Sequence, residues 1–172
     1  IPDRTVPVVI GECKQATPRS KDISLEDLEK FCDALKHYNE ASITGNYMSL
    51  AIYYGIMIML YCGLRPAETF ALMKQDVNLL TGTISINKAV RSSEDSIRTI
   101  SNTKTERSVR KVPIPEQLRP ILIECLQWSK HDIMLADYEG NLLDIKDIDT
   151  LIRNVKKKKT DEAEIHFVGL FR

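Results

Sequence analysis

Two short clusters hold the residues best suited to chemistry. The first is Gly63-Leu-Arg-Pro-Ala-Glu68; the second is Asn102-Thr-Lys-Thr105, followed by Ser108-Val-Arg-Lys-Val-Pro-Ile-Pro115. Gly63 suits the end of one helix and Pro66 the start of the next. Arg65 is therefore expected to project from a rigid elbow beside a helix N-terminus, where backbone N–H groups already favour an anion. Its guanidinium fork fits two non-bridging oxygens of a phosphate and stabilises the charge that builds up in phosphoryl transfer. Glu68, one turn along, is placed to hold Arg65 or a neighbouring group. Taken alone, such a pair is mostly an ordinary surface pair worth under about 1 kcal/mol. Lys104 falls in a turn, with Arg107, Arg110 and Lys111 after it and Lys88 upstream. These four are expected to contact phosphates, which give affinity without sequence information.

Elements that could position these residues are legible in the pattern. Residues 1–20 hold three of the seven prolines and show no sustained period, so they read as a linker. Ser24 with Asp27 opens a helix in capping-box fashion, and apolar residues at 25, 28, 31, 32 and 35 give it one stripe. A break at Thr44-Gly45-Asn46 precedes a helix of roughly 47–62, uncharged from Tyr47 to Leu64. That stretch is near the minimum for a membrane span, but Ser49, Gly55 and four tyrosines fit a buried core helix better. Pro66 opens a helix to about Lys74. Thr83–Val90, Ile97–Thr103 and Ser108–Ile114 alternate like three short strands, expected as an antiparallel meander. Helices from Pro115 to about Lys130 and from Asp144 to Val155 complete a mainly α chain with a small three-stranded antiparallel β-sheet, an α+β class.

The 172 residues suffice for one domain with its own core. Lys+Arg and Asp+Glu number 24 each, which excludes a histone-like polycation. The zero sum conceals an uneven spread. Between Lys88 and Arg119 eight basic residues face four acids, Lys156–Lys159 add four more, and residues 132–149 hold six acids against Lys146. A solvated charged face accounts for many such clusters. The four cysteines have no paired spacing and read as free thiols in a reducing compartment. His37, His131 and His166 form no ligand pattern, so neither a metal nor any other cofactor is expected.

The run Tyr61-Cys-Gly-Leu-Arg-Pro-Ala-Glu-Thr-Phe-Ala-Leu72, then Asp76, the Thr81-Gly-Thr-Ile-Ser-Ile86 turn and strand, Asn102-Thr-Lys-Thr105 and Ser108–Pro115 together resemble the catalytic domain of the tyrosine recombinases, the integrase family of phages and transposons. The likeness covers roughly residues 21–155 and rests on two independent boxes. It implies a DNA integrase or site-specific recombinase that breaks and rejoins duplex DNA through a 3′-phosphotyrosyl intermediate, without metal or ATP. It makes Arg65 the first catalytic arginine, Glu68 a residue that orients the site, and Lys104 the general acid that protonates the leaving 5′ oxygen. An ammonium does that best when neighbouring positive charge lowers its pKa.

The resemblance also implies a second box, H-x-x-R, followed by a His or Trp and then the nucleophilic Tyr. Gly169-Leu-Phe-Arg172 aligns with that box if Arg172 is the second catalytic arginine, with Gly169 in place of His and His166 three residues early. The six tyrosines all precede the box. The chain is accordingly expected to be a fragment without its nucleophile and inactive alone: residues 1–20 a linker from an N-terminal DNA-binding domain, residues 21–172 a partial catalytic domain. The whole enzyme is expected to act as a tetramer on double-stranded DNA in the bacterial cytoplasm, and the fragment to be a monomer with no small-molecule substrate or membrane partner. An alternative is a non-catalytic DNA-binding or regulatory module of the same fold. A third reading is a protein-interaction domain using the acidic 132–149 segment.

Overall fold

The computed structural model describes residues 24–38, 42–92, 98–102, 109–143 and 145–160. The expected linker at 1–20, the Lys104 turn, Arg107, His166 and Arg172 lie outside them.

Ser24 accepts the Asp27 N–H through Oγ at 3.1 Å and starts α1, Leu25–Lys36. Phe31, Cys32 and Leu35 on its apolar stripe are buried. The long helix α2, Ile43–Cys62, begins four residues earlier than its pattern suggests. Ser42 is the reason: its Oγ accepts the Gly45 N–H at 3.2 Å, so the Thr44-Gly45-Asn46 run becomes the first turn instead of a break. By length and composition α2 could cross a membrane. It lies against α1, the short helix α3 (Pro66–Thr69) and α4 (Arg119–Trp128), and eight of its residues from Tyr47 to Ile58 are buried. Gly55 lets Phe70 approach: a Cβ there would meet the ring carbon Cζ at 2.8 Å.

α3 is one turn, Pro66–Thr69, far shorter than the expected run to Lys74. Phe70, Ala71 and Leu72 are all buried, and three consecutive buried residues cannot share one face of a surface helix. A 3-10 turn at Lys74–Asp76 leads to β1, Val77–Asn78, then β2, Thr83–Ile86, and β3, Lys88–Ser92. β4, Arg98–Asn102, returns beside β3, and β5 is Arg110–Pro113.

The strands do not form the expected meander. They make a three-stranded antiparallel sheet of order β1-β2-β5 and a two-stranded ribbon β3-β4. Lys88 pairs with Asn102, and Ile86 with Arg110. One residue, Asn87, separates these two pairings on the outgoing side. β3 and β2 thus take β4 and β5 as their respective partners, in place of three tandem strands.

α4, Arg119–Trp128, starts later than Pro115 because Pro120 has no N–H to donate and fits only a first helical turn. α5, Ile145–Thr160, lies against α1 and extends the expected helix through the lysine run. One core joins Leu35, Ile52, Ile56, Ile84, Leu122 and Met134. Cys32, Cys62 and Cys125 are free, and burial pushes the Cys125 thiol up to about 12 and that of Cys32 to about 11.

Candidate active site

Where α2 meets α3 the chain makes the elbow that the sequence suggests. Gly63 adopts the left-handed conformation, φ 63° and ψ 30°, and its N–H closes α2 on the Met59 carbonyl. Leu64 points into the core and fixes the turn. Arg65, extended at φ −74° and ψ 148°, is the N-cap of α3. Its carbonyl accepts the Thr69 N–H at 2.9 Å and the Thr69 hydroxyl at 3.0 Å. The backbone of Arg65 is thus tied on both sides while its side chain is 80% exposed.

Glu68 is the centre of the site. Its side chain is only 5% exposed, and both carboxylate oxygens are engaged. Oε2 accepts the Arg65 backbone N–H at 3.0 Å, the acid half of a capping box. From β5, Arg110 donates Nη2 to Oε2 at 2.8 Å and Nη1 to Oε1 at 3.0 Å, a two-pronged grip. Arg65 reaches the same carboxylate more loosely, Nη1 to Oε1 at 3.4 Å. Hydrogen bonds from Arg110, reinforced by the Arg65 N–H and both positive charges, hold the Glu68 carboxyl below the usual glutamate range although burial opposes this. One carboxylate and two guanidinium groups leave one positive charge, and Arg65 is the group that presents itself to solvent.

A second clamp lies nearby. Asp76 Oδ2 accepts the Met73 N–H at 2.9 Å, and Lys88 of β3 donates to both Asp76 oxygens, at 2.6 Å to Oδ1. Lys88, expected as a DNA contact, is held there with its side chain only 15% exposed. Arg110 likewise faces the protein, whereas its neighbour Lys111 is exposed, as alternation along a strand requires. The structure brings together Arg65, Glu68 and Arg110 of the sequence-derived candidates. Lys88 is engaged with Asp76 instead, and Lys104, Arg107 and Arg172 are outside the described residues. Asp76 belongs to the run that carries the resemblance, and the structure adds its role, as the partner of Lys88 and of the Met73 N–H. Among the described residues no three His, Cys, Asp or Glu side chains converge as metal ligands would.

Comparison with known proteins places the chain in a class: it belongs to the phage integrase family, whose model matches residues 21–170. Among solved structures it is similar to the Tn1549 transposon integrase in complex with circular intermediate DNA, at 17% identity and a TM-score of 0.74, over 91% of this chain and 51% of that one. A structure of a variant of that integrase with transposon right end DNA gives 17% identity and 0.73, over 90% and 50%. The XerA recombinase gives 16% identity and 0.54, over 83% and 44%. At such identities the likeness is one of fold, that of the tyrosine recombinase catalytic domain. The chain spans about half the length of the transposon integrase chains it matches. None of the curated proteins matches it.

Proposed function

We propose that this chain is the catalytic-domain portion of a tyrosine-type site-specific DNA recombinase, and that Arg65 grips the phosphate to be broken. The observation that carries the reading is the Arg65–Glu68–Arg110 arrangement: an exposed guanidinium on a backbone elbow, backed by a buried carboxylate that a second arginine already holds. A fork carried on a held backbone elbow is presented to a tetrahedral phosphate and stabilises the negative charge of the pentavalent transition state. Glu68 orients and does no proton transfer, because a carboxyl held below its ordinary range remains an anion at neutral pH. Lys104 is the proposed general acid and Arg172 the proposed second arginine. Lys111 and Arg107 add phosphate contacts. The DNA-bound state of the Tn1549 integrase structures supports duplex DNA as the partner. In the whole enzyme a tyrosine would attack the phosphate, giving a 3′-phosphotyrosyl link and a free 5′ hydroxyl.

The experiment is Arg65→Ala in the full-length enzyme. The expected outcome is loss of covalent protein–DNA adducts with folding intact and DNA binding retained, weakened by no more than the about tenfold that one phosphate contact carries. Adduct formation at the unaltered rate would overturn the assignment.

A further inference from the structure

Arg110 and Lys111 are adjacent on β5 and face opposite ways, Lys111 to solvent and Arg110 to the protein. The Arg110 side chain is 35% exposed, and both prongs of its fork are on Glu68. Glu68 is too buried to remain an anion without a cation beside it. Two guanidinium groups are within reach, and the geometry shows which one holds it: Arg110 at 2.8 and 3.0 Å, Arg65 at 3.4 Å through a single nitrogen. Were Arg110 absent, the same carboxylate would draw in Arg65, whose exposed fork is the nearest replacement.

We infer that Arg110 is a positioning residue: by satisfying Glu68 it leaves the Arg65 fork free for a phosphate, and it acts on DNA through Arg65 and not by its own contact. This rests on the reading of Arg65 as a phosphate-gripping group. It also ties β5 to α3 beside the elbow, so two segments 42 residues apart in sequence are held in one register by a single side-chain fork.

The test is a thermodynamic cycle on this 172-residue chain with duplex DNA of mixed sequence at low salt. Arg110→Gln should weaken binding about tenfold when Arg65 is present and less than about twofold in an Arg65→Ala background. Adding Glu68→Gln to Arg110→Gln should restore most of the affinity, because no buried anion then recruits Arg65. Arg110→Lys, which keeps the charge but loses the fork, should fall between the parent and Arg110→Gln. Equal losses in both Arg65 backgrounds would make Arg110 an independent phosphate contact and overturn the inference, as would failure of Glu68→Gln to rescue. A second readout is independent of DNA. The NMR signals of the Arg65 guanidinium should show free rotation in the parent chain and hindered rotation in Arg110→Gln. Unchanged Arg65 signals would refute the positioning role. If the parent chain binds no duplex, the functional reading fails, and the NMR readout alone then decides whether Arg110 frees Arg65.

Discussion

Glu68 and Asp76 are built alike and end differently. Each accepts a backbone N–H three residues upstream, from Arg65 and Met73 respectively, at the start of a short helical turn. Each is nearly buried, and each is gripped by a cation from a strand, Arg110 of β5 or Lys88 of β3. At Asp76 the account closes: one carboxylate, one ammonium, little of either exposed. At Glu68 a second cation is left over, and it is the exposed one. The surplus guanidinium, more than the ion pair itself, distinguishes a site from a brace.

The two clamps should respond differently when broken, and the largest effect belongs to the closed one. Lys88→Ala leaves Asp76 buried and unpaired, and should cost about 3 kcal/mol in urea unfolding. Arg110→Ala should cost less, about 2 kcal/mol, because Arg110 is one-third exposed and Arg65 stands ready beside Glu68. Gly63→Ala meets no steric obstacle but forces a Cβ onto a φ of 63°, for roughly 1 kcal/mol. Smallest of all is Arg65→Ala, within about 0.5 kcal/mol, since an exposed side chain with one long contact contributes little to folding.

Acid sharpens the contrast at Glu68. An acid whose folded pKa lies below its unfolded value, about 4.3 for glutamate, adds stability that is complete above the unfolded value. That contribution is lost as pH falls through the lower, folded pKa. Arg110→Ala removes the main cause of the depression, so its urea midpoint should fall less steeply than that of the parent chain below about pH 4.3. A parallel decline in both proteins would mean that Arg110 does not set the Glu68 carboxyl.

Local chemistry was legible in the sequence. Ser24, Gly63 and Pro66 act within one turn of themselves, so their caps and stops could be read from neighbours alone. The G-L-R-x-x-E box was legible for the same reason. What escaped depends on partners far along the chain. α3 ends early because Phe70 is drawn against Gly55. β5 pairs with β2 and β4 with β3, a choice of partners that no local pattern in the strands sets. Arg110 and Lys111 count equally in a tally of charge, and only the strand register turns one inward and the other to solvent. Lys88 reads as a surface lysine until β3 sets it over Asp76.

The central claim is that the exposed partner of the Glu68 clamp, and not the cation of the Asp76 clamp, meets DNA. The most direct measurement is the salt dependence of duplex binding by the parent chain, Arg65→Ala and Lys88→Met. Loss of one phosphate contact should reduce the slope of log affinity against log salt by about 1 in Arg65→Ala. Folded Lys88→Met should keep the parental slope. An unchanged slope in Arg65→Ala, or a reduced one in Lys88→Met, would contradict the account.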